Sequence, residues 1–254
     1  MIPDQQEAGI LLSRPRSDGI LCLTLNDPAR RNALSEAMLA ALGTAFDAAS
    51  SKPDVRVIIL SAAGPVFCAG HDLKEMTAGR QNADKGRAYF TKILDQCSSV
   101  MQKIVACPKP VIAEIDGVAT AAGCQLVASC DLAVASETAQ FCTPGVHIGL
   151  FCSTPMVALS RNLANKHAME MLLTGDPCPA ARAADIGLVN YCVPADQLTY
   201  KVMEMARKIA SKSTATVGFG KPAFYRQLER PLVEAYEFAA EVMVTNMLAR
   251  DAEE

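Results

Sequence analysis

The sequence predicts an α/β protein whose final third is helical. Three observations carry that expectation. Short apolar runs rich in β-branched residues recur through the first two thirds, at 20–26, 55–60, 111–115 and 132–136. Helical patterns separate them, one starting at Ser35 and a small-residue one over 122–130. After Val193-Pro194 the strand signals stop, and helical patterns run from Asp196 to the end, broken near Ser213 and at Pro231. Strands alternating with helices bury their apolar faces as stacked layers.

Taken in order, Ile20–Asn26 is the first strand, and Val55–Leu60 follows the helix begun at Ser35. Pro108-Lys109-Pro110 gives a rigid approach to Val111–Ile115, and the helix over 122–130 leads to Leu132–Ser136. The expected division is a core over 1–194 and a helical region over 195–254. In the latter, Met203, Met205, Ala206, Met243 and Met247 recur at helical spacing and are expected to be packing surface. No repeat of fixed period is visible.

Half of the 254 residues are hydrophobic and a fifth are charged, enough apolar content for a sizeable core. A net charge of −3 with no dense basic block excludes an electrostatic footprint for nucleic acid. The ten cysteines form no Cys-x-x-Cys pair, and His71, His147 and His167 lack metal-ligand spacing. No metal is expected, and reduced thiols in a cytoplasmic setting are. Residues 1–8 lack the basic-then-apolar order of a secretory leader. The uncharged stretch 138–160 contains Pro144, Gly145, Gly149 and Pro155, so it reads as strand, loop and helix start rather than a membrane insertion.

Two loops carry the chemistry. Gly64–Glu75 follows a strand, turns on small residues and regains helical polarity at Asp72, a candidate helix cap. Asp116–Leu126 ends a strand and opens a helix amid Ala and Gly. Small residues admit close backbone approach, and a helix N-terminus presents unpaired N–H groups. If the loops meet, one amide from each can point at a single carbonyl oxygen. Gly117-x-Ala119 with Ala122 and Gly123 imitates a dinucleotide-binding turn, but the strict glycine pattern is missing.

Leu25-Asn26-Asp27-Pro28, Arg31-Asn32-Ala33-Leu34-Ser35, the Phe67–Lys74 segment, Lys109–Ala113 and Gly123–Leu126 resemble, in order and spacing, the enoyl-CoA hydratase/isomerase (crotonase) family. The likeness runs from about Ile10 to about Asp251. Gly70–Lys74 and Gly145–Pro155 resemble its hydratase domain-containing branch. The resemblance implies a crotonase-like spiral of repeated strand-strand-helix units with a C-terminal helical region. It also implies homotrimers, often paired into hexamers. Coenzyme A then enters as part of an acyl-CoA thioester substrate, with no permanently bound cofactor.

By position, the resemblance places the amide donors of an oxyanion hole on His71 and Ala122, with Gly123 as the neighbouring alternative. Arg30, Arg31, Ala33, Ala69, Gly70, His71, Asp72, Leu73 and Lys74 fall where the family contacts CoA and substrate. The family's two catalytic glutamates fall on Gln125 and Gly145. Glutamine exchanges no proton near neutral pH and glycine has no side chain, which weighs against efficient hydration. Substitute groups are His71, Asp72, Glu75, His147, Cys124, Cys152 and Ser153. Replacing Gln125 and Gly145 together by glutamate is expected to raise hydratase activity. The family's basic, aromatic tail is not found before Glu254. Two functions compete: a lyase or isomerase of acyl-CoA metabolism, and an acyl-CoA-binding regulator without turnover.

Overall fold

The computed structural model describes residues 9–249. The leader reading over 1–8 and the tail reading at Glu254 lie outside the described residues. In chain order the elements are β1 (Leu11–Pro15), β2 (Ile20–Leu25), α1 (Glu36–Ser51), β3 (Val57–Ala62), α2 (Leu73–Gly79), α3 (Arg87–Ala106), β4 (Val111–Ile115), β5 (Val118–Thr120) and α4 (Ala122–Ser129). There follow β6 (Leu132–Ser136), β7 (Gln140–Cys142), α5 (Ser153–Asn162), α6 (Asn165–Thr174), β8 (Cys178–Pro179), α7 (Ala180–Asp185), β9 (Tyr191–Val193), α8 (Leu198–Ala210), α9 (Thr214–Gln227) and α10 (Leu232–Met247).

A six-stranded sheet runs in the order β1-β2-β3-β4-β6-β9, parallel except for the β1–β2 pair. Its register pairs Ile20 with Val57 and Ile58 with Val111, so successive residues face opposite sides. Leu21, Leu23, Leu25, Ile58, Leu60, Val111 and Ala113 point into the main core, where α1 packs its Met38, Leu39, Leu42 and Phe46 stripe. Ile20, Val57, Ile59, Ile112 and Val134 face the other way and are covered by Leu198, Val202, Ala206 and Ala210 of α8. A parallel sheet must be covered on both faces, which explains the continuous apolar runs in its strands.

The second layer is shorter. β5, β7 and β8 form a three-stranded sheet, and isolated bridges join Cys68 to Ala119 and Leu34 to His71. Each unit therefore runs from a long-sheet strand through a turn into this layer and out into a helix: β4 to β5 to α4, then β6 to β7. This is the strand-strand-helix spiral. Ser35 caps α1 by accepting from the Met38 amide at 3.2 Å, and Ser213 caps α9 through the Thr216 amide at 3.1 Å. The segment 138–160 is β7, a one-turn 3-10 helix over 144–148 and the start of α5. Among the described residues no helix is long and apolar enough to cross a membrane.

The methionine expectation holds in α8, where Ala206 is buried and Met203 and Met205 pack against the outer core. It does not hold within one chain for α10, where Met243 and Met247 are exposed.

Candidate active site

The two chemistry-bearing loops meet. The Cys68 amide donates to Val118 O at 3.1 Å and the Thr120 amide to Cys68 O at 3.0 Å, locking the loops side by side. Glycines make the approach possible. A Cβ on Gly123 would lie 2.2 Å from the Cys68 carbonyl oxygen, inside any permitted contact. Gly70 has φ +80°, and a Cβ there would stand 3.1 Å from the Ala122 nitrogen and 3.0 Å from Thr120 O. The residue next to His71 is thus packed against the amide of Ala122.

The backbone beside both amides is pinned. Gly70 O accepts from Leu34 N at 2.7 Å, and Ala69 N donates to Arg31 O at 3.1 Å, fixing the chain on either side of the turn. Ala121 is held at φ 51°, ψ −118°, its own amide bonded to Cys142 O at 2.9 Å, so that Ala122 opens α4. First-turn amides of a helix have no intrahelical acceptor. Among the described residues, neither the His71 nor the Ala122 amide donates to a loop or turn carbonyl.

Two side chains carried by the elements that form this junction have a buried atom with no partner among the described residues: His71 Nε2 and Gln125 Oε1. Such orphans typically cost about 1–3 kcal/mol each. Gln125 lies three residues after Ala122 on α4, which places the two on one helix face. Burial lowers the His71 pKa below the ordinary imidazole value, so the ring is neutral at physiological pH.

The other candidate groups are engaged. Asp72 caps α2 by accepting from the Lys74 amide at 2.8 Å and the Glu75 amide at 3.3 Å, as its position before the helix predicts. It also faces Arg30 at 3.4 Å. Glu75 accepts from the Glu36 amide at 3.0 Å and from the Tyr89 hydroxyl at 3.3 Å. Ser153 donates to Phe151 O. Burial pushes the thiols of Cys124 and Cys152 up, away from the thiolate. His147 Nε2 lies against Gly175.

The CoA-side residues divide. Arg30 is tied to Asp27 at 2.8 Å as well as to Asp72, so it braces the loop. Ala33 is buried, whereas Arg31, Leu73 and Lys74 are exposed along the rim. Sequence reasoning missed Asn32. It is fully buried at φ 51°, donates to Ala63 O at 2.9 Å and Val66 O at 2.7 Å, and accepts from the Asp27 amide at 2.8 Å. A buried asparagine using three bonds to hold the strand-to-loop exits carries no signal in a stretch as polar as Asn26–Arg31, where one more polar residue reads as loop.

One expectation is corrected. A Cβ on Gly145 would lie 2.4 Å from the backbone oxygen of Leu150 and 2.9 Å from Cys152 Sγ. Gly145 O also accepts from Leu150 N at 2.9 Å, so this loop is folded onto itself. A glutamate at 145 has no room in the loop as folded, so the paired glutamate substitution is expected to displace this loop rather than to raise hydratase activity. Among the described residues no cluster of ligating side chains is arranged to hold a metal ion.

Comparison with known proteins gives the same architecture. Residues 15–254 match the family model for enoyl-CoA hydratase/isomerase. A rat protein named enoyl-CoA hydratase domain-containing protein 3, mitochondrial, is 48% identical over 96% of this chain and 80% of its own length. The human protein of that name is 48% identical over 99% of this chain and 83% of its own. Among solved structures, an enoyl-CoA hydratase of Mycobacterium smegmatis superposes with TM-score 0.93 at 48% identity, covering 97% of this chain and 94% of that one. Human enoyl-CoA hydratase domain-containing protein 3 does so with TM-score 0.91 at 47% identity, covering 97% and 95%. The chain belongs to the enoyl-CoA hydratase/isomerase family, with its crotonase fold.

Proposed function

We propose that this chain is an acyl-CoA thioester enzyme whose oxyanion hole is made by the backbone amides of His71 and Ala122. The observation that carries the reading is the junction of the two loops, packed so closely that a Cβ on Gly70 would stand 3.1 Å from the Ala122 nitrogen, with neither the His71 nor the Ala122 amide donating to a loop or turn carbonyl among the described residues. Two preorganised N–H donors stabilise the charge that develops on a thioester oxygen when its α-carbon becomes enolate-like. Arg31 and Lys74 on the rim offer charge-assisted contacts to CoA phosphates, and exposed Leu73, Leu150 and Phe151 offer apolar surface to an acyl chain. CoA arrives with the substrate, and no resident cofactor is invoked. Within the region 195–254, α8 covers the core sheet, and α9 and α10 serve assembly as a homotrimer or a pair of trimers. Ten free cysteines suit a reducing compartment such as the cytoplasm; the rat and human relatives carry the word mitochondrial in their names.

The test is the carbonyl stretch of a bound isotope-labelled butyryl-CoA, read by difference infrared spectroscopy. The band should move to lower frequency on binding, and Gly70→Ala, which crowds the Ala122 amide, should abolish the shift. An unshifted carbonyl in the bound wild-type complex refutes the reading.

A second reading, an acyl-CoA-binding regulator without turnover, is favoured by one feature: Gln125 and Gly145 stand at the positions the resemblance gives to the catalytic glutamates. It predicts calorimetric binding of acyl-CoA with no loss of enoyl thioester absorbance and no exchange at the α-carbon.

A further inference from the structure

We propose that the imidazole of His71, beyond the amide of the same residue, is the proton carrier of this site, and that Gln125 orients the water through which that proton reaches solvent. This deepens the enzyme reading above and rests on it. Three observations converge. His71 Nε2 and Gln125 Oε1 are both buried without a partner among the described residues, and Gln125 is more than nine-tenths buried. They flank the same junction: His71 follows Gly70, which packs on the Ala122 amide, and Gln125 shares a face of α4 with Ala122. Among the rival proton carriers, Asp72 caps α2, Glu75 holds Glu36 and Tyr89, the thiols of Cys124 and Cys152 are kept protonated by burial, and His147 is exposed, with its Nε2 against Gly175.

Burial keeps the imidazole neutral, and in the tautomer protonated at Nδ1 its Nε2 lone pair is free to act as a base. Nε2 takes a proton from the thioester α-carbon. The C–H electron pair becomes the enolate double bond, and the carbonyl π pair moves onto the oxygen held by the two amides. In the reverse step the imidazolium returns a proton to the α-carbon, so no oxidant or reductant is needed. A carboxamide oxygen in need of a donor is suited to hold the water that swaps the imidazolium proton with bulk.

The experiment incubates the full chain with butyryl-CoA in deuterium oxide and follows deuterium at the α-carbon by mass spectrometry. Wild type should exchange. His71→Gln and His71→Ala retain the backbone amide, so the infrared carbonyl shift should persist while exchange falls by ~10²- to 10⁴-fold. Added imidazole should restore exchange to His71→Ala, which a merely structural role for the ring would not allow. Gln125→Leu should slow exchange less than loss of His71. Wild-type exchange rates in both His71 variants overturn the inference, as does a polarised carbonyl in wild type with no exchange. An unpolarised carbonyl in wild type refutes the functional reading itself and removes this inference with it.

Discussion

Ala121 sits where glycine is the comfortable residue, at φ 51° and ψ −118°, immediately before the amide that opens α4. A non-glycine residue held there stores strain of roughly 1–3 kcal/mol, retained because the neighbouring bonds over-determine it. Ala121→Gly should therefore raise stability by about 1 kcal/mol, seen as a higher urea midpoint with an unchanged slope. An unchanged or lowered midpoint would show that the Cβ packing against Gly70 outweighs the strain. Gly145 is the opposite case, because space rather than φ restricts it. Gly145→Glu should lower the thermal midpoint, the usual cost of overpacking being about 1–3 kcal/mol or more where backbone must move. Hydratase turnover in that variant at or above the wild-type rate would contradict the collision with Leu150 O. At this scale the sequence was only partly legible. The small residues at 69–70 and 121–123 announced close backbone contact, and Asp72 announced a cap. The closed loop at 145–150 could not be read, because a glycine at a motif position looks the same whether its missing side chain leaves a vacancy or a filled contact. Asn32 escaped notice because its three bonds go to residues just past the ends of two different strands, β2 and β3, which are distant in sequence from each other.

Elements were more legible where their apolar spacing is long. Strands β2, β3, β4 and β6 and helices α1, α4 and α8 follow from runs of five or more residues with a consistent period. The second-layer strands β5, β7 and β8 have three, three and two residues and leave no period to read. The spiral repeat is hidden for a related reason: α1 has 16 residues, α4 has 8, and the unit after β3 contains both α2 and α3, so equivalent strands are unequally spaced. Helix α9 is fixed to the core by a mostly buried ion pair. Lys221 Nζ lies 2.7 Å from Asp131 Oδ2 and donates to the carbonyls of Ile104 and Lys109. Tyr225 donates to Asp131 Oδ1 at 2.9 Å, and the Val111 amide donates to Oδ2 at 2.7 Å. Burial pushes the Asp131 carboxyl up, and Lys221 with the other donors draws it back. Lys221→Met removes the counter-charge and leaves a buried carboxylate held, among the described residues, only by the Tyr225 hydroxyl and the Val111 amide, so denaturant unfolding should show a loss of about 3 kcal/mol. Restricted proteolysis should cut first within 214–247 if this clamp is what seats α9. A variant as stable as wild type would mean that the apolar contacts of α9 suffice.

At the scale of the whole molecule, the C-terminal helices are unfinished as a monomer. Among its described residues α10 buries only Ala235 and leaves Leu232, Val233, Tyr236, Met243, Val244 and Met247 exposed, and α9 buries none while exposing Phe219 and Phe224. Helices apolar on several sides belong inside something, and contiguous exposed apolar surface of this extent marks an interface. A net charge of −3 offers little self-repulsion against association of identical copies. We therefore expect the chain to sediment at micromolar concentration as a closed homo-oligomer of three or six copies, with α9 and α10 at the contact. Val233→Glu with Tyr236→Glu places two charges on exposed positions that cost little in a free monomer but must be desolvated in an interface. The double variant should sediment as a monomer with an unchanged far-ultraviolet circular dichroism spectrum. If the wild-type chain is already monomeric at that concentration, or if the double variant keeps the full oligomer mass, the assembly surface lies elsewhere and the apolar face of α10 needs a different occupant.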